Sequence, residues 1–389
     1  MAAGASASDA GVGALCARSA VLGAFLNVKI NVAGLEDREF AAGLLEEVMR
    51  LWQEGIDASA PAMSAVGYRQ ILAHLEGQCS LCEAVARITF FGLFALQHRG
   101  QEAAGIAVAT GDRLEMFANP GLVSQVFTED DLASLKGFAA VGHTCYSASG
   151  ARRPATPQPI LERNGRWSLA LAHNGNVTNA DALRDELQAS GLVFRSQSDA
   201  EVIAKLIVTA HGATWMEKLS HALSRLQGAY SLAILTPQVL IAARDPMGVR
   251  PLSLGLLDGG YVVASETCAF DHIGARFVRD VRPGEVLLLD AGETSFQQPR
   301  NGRRAFCVFE HIYFARPDST VEGRLVYEAR LAMGAKLAQE HPVEADYVVG
   351  VPDSATAAAI GYARASGIPY REGLLKNRYV GRTFIAPDQ

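Results

Sequence analysis

The apolar positions change their spacing twice along the chain. From Leu35 to about Leu75, Leu44, Leu45, Val48, Met49 and Trp52 recur at three- and four-residue steps, with Glu46, Glu47 and Arg50 on the other face. That spacing predicts amphipathic helix, broken at Asp57–Pro61 and resumed at Val66–Leu75. Beyond Ile88, short β-like runs bounded by Gly and Pro alternate with helical stretches. Ala104–Ala109, Ala139–His143, Trp167–Ala172, Tyr230–Leu235, Val239–Ala243 and Val262–Ser265 read as strands. Strands in close succession between few helices predict antiparallel sheets in an α+β domain. From Leu325 the order becomes helix (Leu325–Glu340), strand (Asp346–Val351), loop and helix (Ala355–Ser366), an α/β unit with a parallel sheet. The chain therefore divides near residues 87 and 315. Residues 1–34 are read as disordered or frayed, 35–87 as a helical block, 88–315 as α+β and 316–389 as α/β.

Composition narrows the function classes. A chain of 389 residues holds two to three domains' worth of core, and 49% hydrophobic content excludes disorder. The 35 basic residues against 41 acidic ones give a net charge of −6, which argues against a nucleic-acid partner. No apolar run reaches the ~18–20 residues of a membrane helix, and no basic leader precedes the first segment. The expectation is a cytoplasmic chain without a membrane partner. Six cysteines in this length make no disulfide scaffold. Cys79 and Cys82 form a CxxC, but no second ligand pair follows at zinc-like spacing, so both read as plain helix thiols.

Two short motifs carry candidate chemistry. In His173-Asn174-Gly175-Asn176, an Asn–Gly on a tight turn can aim a side-chain amide and a backbone N–H at one developing oxyanion. The same pair also describes a plain turn. Ser198-Asp199-Ala200-Glu201 reads as an N-cap with an acidic first turn.

Taken together with other segments, these motifs resemble the class II glutamine amidotransferases. Gln97–Glu102, Gly142–Thr144, His173–Asn176, Ser198–Glu201, Arg244–Leu252 and Ser265–Glu266 follow that family's order. Phe309–Ser319, Val351–Ser354 and Asn377–Ile385 are similar to its amidophosphoribosyltransferase branch, and the resemblance covers roughly residues 85–389. It implies an N-terminal-nucleophile sandwich followed by the start of a phosphoribosyltransferase domain. The activity it implies is transfer of glutamine-derived ammonia to phosphoribosylpyrophosphate (PRPP), giving phosphoribosylamine for purine synthesis. It further implies homo-oligomers, magnesium and, in one subfamily, an iron–sulfur cluster. Carried over by position, Asn174 and Gly175 are the oxyanion hole and Asp199 holds the glutamine amine. Asp353, Ser354, Lys376, Arg378 and Arg382 belong to the PRPP site, with Ser354 also in a partial magnesium site. Cys307 stands at one of four cluster ligands.

The chain also departs from that pattern. The family's nucleophile is an N-terminal cysteine opening a strand in a Cys-Gly context; here the region reads Glu76-Gly77-Gln78-Cys79-Ser80-Leu81-Cys82-Glu83. Cys145 stands where the family has the arginine that binds the glutamine carboxylate. The acidic PRPP motif and the other three cluster cysteines would fall after Gln389, so the expected PRPP site is partial and no cluster is expected to assemble. Residues 35–88, with Gly43–Val48 and Ala65–Gln70, resemble the C-terminal part of tRNA dimethylallyltransferase, without that enzyme's P-loop. The expectations are no glutaminase activity, with a non-catalytic binding or regulatory role as the alternative. A lost first strand should also leave Leu93, Phe94 and Leu96 partly uncovered.

Overall fold

The computed structural model describes residues 80–146, 156–257, 260–290, 292–299 and 303–377. The helical block 35–75, Cys79, Arg378 and Arg382 lie outside these residues. Cys82 falls within the first described helix, α1 (Ser80–Ala95).

A short 3-10 turn, Gln97–Arg99, leads from α1 into β1 (Ala103–Ala109), every residue of which is buried. Such a strand must be covered on both faces, and its small side chains show how. Ala104, Ile106 and Val108 pack towards α1 and the short helix α2 (Val123–Val126), while Ala107 and Ala109 face Ala170, Ala172 and Leu235 of a larger sheet. A Cβ at Gly105 would come within 2.3 Å of the Gln158 carbonyl, so the layers meet there at backbone distance. β1 is the centre of a three-stranded sheet, between β2 (Leu114–Pro120) and β3 (Ala139–Cys145). A short helix α3 (Glu129–Ser134), capped by Thr128, joins those two strands.

The larger sheet has six strands in the order β12-β11-β7-β6-β5-β4. They are β4 (Ile160–Asn164), β5 (Trp167–Val177), β6 (Gly228–Leu235), β7 (Leu240–Arg244), β11 (Glu285–Leu289) and β12 (Glu293–Gln297). Helices α4 (Ala180–Ala189), α5 (Asp199–Thr209) and α6 (Trp215–Leu223) cover one face. Val202, Ile203, Leu206 and Ile207 of α5 there meet Leu169, Leu171, Leu232 and Ile234. Against the other face lie β1 and a second small sheet, ordered β10-β8-β9, from β8 (Ser253–Leu257), β9 (Gly260–Ala264) and β10 (Arg276–Asp280). Helix α7 (Thr267–Ile273) backs that sheet. The result is a sandwich of helices, sheet, sheets and helices, with every described strand ladder antiparallel, as the sequence predicts.

Helix α1 bridges the two small sheets, and this corrects one expectation. Leu93 is buried against Gly142 of β3, contrary to that expectation, whereas Leu96 is only partly buried against the Ala269–Phe270 cluster and Phe94 stays half exposed, as expected. Beyond the sandwich come a π-helical turn at Glu310–Phe314, the hairpin β13 (Thr320–Val321) and β14 (Arg324–Leu325), and helices α8 (Val326–Glu340) and α9 (Ser354–Ser366). The expected parallel strand Asp346–Val351 does not form. Val348 makes a single parallel bridge to Tyr370, and Tyr347, Val349 and Val351 stay exposed because no further described strand lies beside them.

Candidate functional site

β5 is the spine of the site. Its neighbour β4 pairs with it only as far as Leu171, so from Ala172 onward no described strand runs along that edge of β5. On that edge the His173 N–H donates to Gln158 Oε1 (2.8 Å) and the Val177 N–H to Asp199 Oδ2 (3.1 Å). Peptide alternation along the strand turns the Gly175 N–H, midway between them, to the same side. Only glycine fits there, since a Cβ would lie 2.1 Å from the Ala229 carbonyl of the adjoining strand β6. Asn174 Nδ2 is buried without a partner, an uncommon state for a donor. Asn174 and Gly175 are therefore brought together, but the expected tight turn is a mistaken reading. Both sit in mid-strand opposite Ser231 and Tyr230, and what frees the Gly175 N–H is the early end of β4.

These groups border a cavity of about 1330 Å³. Asp199 enters it from the first turn of α5, after Ser198, whose hydroxyl accepts the Ala200 N–H (3.2 Å). Burial would raise the Asp199 carboxyl, but hydrogen bonding and charge from His173 and the N–H groups of Val177 and Ala200 outweigh it and hold it below the ordinary range. Asp199 is therefore an anion in the cavity wall. His143 Nε2–H donates to the His173 carbonyl (3.0 Å), and burial lowers that imidazole to about 4, keeping it neutral. Cys145, at the end of β3, is buried with its thiol on the Thr156 carbonyl (3.7 Å). Burial, with the charges of Glu102 and Asp199, pushes it up to about 12, so it supplies neither a thiolate nor a cation.

Arg99, Arg250 and Phe314, which also line the cavity, belong to a buried charge network that sequence reasoning missed. Arg99 donates to Glu266 Oε1 (2.5 Å) and to both oxygens of Glu310 (3.0 and 2.9 Å), and Arg250 reaches Glu310 as well (3.1 Å). Both guanidinium groups lie over the Phe314 ring. Burial disfavours the Arg99 cation, but the two carboxylates overcome this and raise it. Glu266 also accepts from His98 (2.7 Å), the Arg316 N–H (2.9 Å) and the Ser319 hydroxyl (2.8 Å), and is held far below the usual carboxylate range. The only hint in the sequence is that these residues fall inside the family-like motifs. Their charge alone reads as surface.

The remaining candidates lie apart from this cavity. Asp353 precedes α9, whose first residue is Ser354, without a side-chain capping hydrogen bond, and its carboxylate pairs with Lys376 (2.6 Å). Cys307 is half-buried, 3.6 Å from an Arg250 nitrogen. Among the described residues no group of three or more His, Cys, Asp or Glu could hold a metal ion.

Against known proteins, residues 147–272 match the glutamine amidotransferase domain family. Amidophosphoribosyltransferase of Bacillus subtilis is 49% identical over 309 residues, covering 79% of this chain and 65% of its own length. The enzyme of the same name from Archaeoglobus fulgidus is 46% identical, covering 79% and 68%. The chain belongs to the amidophosphoribosyltransferase family. The solved Bacillus subtilis glutamine PRPP amidotransferase, complexed with ADP and GMP, superposes with a TM-score of 0.72 at 49% identity, over 78% of this chain and 66% of that one. The chain thus spans about 65% of the length of the first relatives it matches. Towards the N-terminus, residues 36–90 match the IPP transferase family, the stretch whose sequence resembles tRNA dimethylallyltransferase. Residues 2–50 match formiminotransferase-cyclodeaminase, which the sequence reading did not find.

Proposed function

We propose that the cavity is the glutamine site of an amidophosphoribosyltransferase that binds its amide substrate without hydrolysing it. The unpartnered Asn174 Nδ2 beside the Gly175 N–H, in one cavity with the Asp199 anion, carries the reading. The two donors would take the amide oxygen of glutamine, where charge develops when the carbonyl is attacked. Asp199 would take the α-ammonium. Attack needs a thiolate, and the one described cysteine lining the cavity is the protonated Cys145. The reaction of the intact family member is amide-nitrogen transfer to PRPP at the start of purine synthesis. In this chain Asp353, Ser354 and Lys376 are its PRPP-site candidates, followed by Arg378 and Arg382.

The family's magnesium fits these residues poorly. Asp353 and Ser354 offer one carboxylate and one hydroxyl at the start of α9, and Lys376 already pairs with the carboxylate, whereas magnesium demands a near-octahedral oxygen set. An iron–sulfur cluster fits the described residues no better, because Cys145 and Cys268 are buried elsewhere with protonated thiols, which leaves Cys307 alone among the described cysteines.

Calorimetric titration with L-glutamine, alongside a glutamate-release assay, tests the proposal. Saturable binding lost in Asp199→Asn, with no glutamate above background, is expected. Glutamate release that disappears on mutating Cys79 would overturn the non-hydrolytic reading, and absence of binding would overturn the site itself.

A further inference from the structure

The glutamine reading leaves one charge of the ligand unmatched. A zwitterionic amino acid brings a carboxylate beside the ammonium, and the cavity wall must supply a cation near Asp199. Among the described residues three arginines line the cavity: Arg99, Arg195 and Arg250. Arg99 is saturated by Glu266 and Glu310, and Arg250 is tied to Glu310. Cys145 is a neutral thiol. Among the described residues, no carboxylate pairs with the guanidinium of Arg195, which lies four residues before Asp199 on the loop that opens α5.

That loop is built rigidly although Arg195 itself is exposed. Glu201, buried in the first turn of α5, accepts the Arg195 N–H (2.9 Å), the Ser196 N–H (2.7 Å) and the Ser196 hydroxyl (2.6 Å). From the other side the Arg184 guanidinium donates to the carbonyls of Ser196 (2.7 Å) and Ser198 (3.1 Å). A buried carboxylate and a buried guanidinium thus fix the backbone of 195–198, while the Arg195 side chain pairs with no carboxylate of the described residues.

From this arrangement we infer that Arg195 is the carboxylate receptor of the cavity, and that Asp199 and Arg195 together select a free α-amino acid head group. The inference rests on the glutamine reading above. A planar guanidinium matches a carboxylate in two parallel hydrogen bonds, which a thiol at position 145 cannot replace.

Calorimetry on the full chain with two probes tests it: L-glutamine, and L-glutaminol, which keeps the ammonium and amide but carries an alcohol in place of the carboxylate. Arg195→Ala should weaken L-glutamine about fivefold, the upper range for an ion pair with access to solvent, and leave L-glutaminol unchanged. Arg195→Lys should recover part of the loss. Equal affinities of wild type and Arg195→Ala for L-glutamine would overturn the assignment of Arg195 while leaving the glutamine site standing. So would an equal loss for both probes. No binding of L-glutamine to wild type would overturn both.

Discussion

Replacing Glu310 by glutamine removes one negative charge from the centre of the buried network without changing the side chain's size. Glu310 is fully buried and receives three hydrogen bonds, two from Arg99 and one from Arg250. A glutamine can still accept through its oxygen, but its NH₂ then faces guanidinium donors. Arg99 keeps Glu266, so it is not left wholly uncompensated. Breaking a buried pair outright costs about 3–5 kcal/mol, and the retained partner places Glu310→Gln near the lower end, about 3 kcal/mol. Arg250 is more accessible, and its share of the cost is below ~1 kcal/mol. At roughly 2–4 °C per kcal/mol for a unit of this size, the melting temperature should fall by about 6–12 °C in calorimetric scans. Urea titration should show a lower midpoint at unchanged slope. An unfolding free energy within ~0.5 kcal/mol of wild type, the range of an ordinary surface substitution, would refute the reasoning.

His143 is depressed to about 4 by burial, against an ordinary 6.5, so between these values the unfolded chain binds a proton that the folded chain does not. Its contribution is complete above pH 6.5 and is lost as the pH falls towards 4, on the order of 3 kcal/mol, and His143→Gln should flatten that part of the stability–pH curve. Alkylation by iodoacetamide at pH 8, read by mass spectrometry, should leave Cys145 and Cys268 unmodified, since burial pushes both up to about 12, while the half-buried Cys307 reacts. Gly175→Ala should remove glutamine binding and lower stability together, because its methyl would meet the Ala229 carbonyl; binding at wild-type affinity would contradict the strand-edge geometry. Magnesium pyrophosphate should bind at the start of α9 only with millimolar affinity, about 4 kcal/mol, because Lys376 must first leave Asp353; micromolar PRPP affinity lost in Ser354→Ala would contradict this.

The parts of the fold with a local signature were legible. The alternating and uniformly apolar runs placed six of the twelve described strands of the sandwich (β1, β3, β5, β6, β7 and β9) but not β2, β4, β8, β10, β11 or β12, and Ser198 announced the start of α5, because such signals depend on neighbours a few residues away. Asp346–Val351 failed because an apolar run becomes a strand only when another strand lies alongside, and Val348 finds only a single bridge. Asn174 and Gly175 were found by their residue types, yet for a mistaken geometric reason. The early end of β4 that opens the β5 edge is a long-range event with no mark in His173–Asn176. The Arg99–Glu266–Glu310 network was invisible for a related cause. Residues 167 and 211 positions apart neutralise one another, and each alone reads as a solvated charge.

The two-sided clamp on residues 195–198 has a kinetic consequence. A recognition loop held by Glu201 of α5 and Arg184 of α4 needs no rearrangement when ligand arrives, so encounter and desolvation alone set the association rate. Binding should then follow a single exponential whose rate rises linearly with ligand concentration, without the plateau that a loop-closing step would impose. Glu201→Gln loosens the clamp without touching the ligand, and should bring that plateau into view.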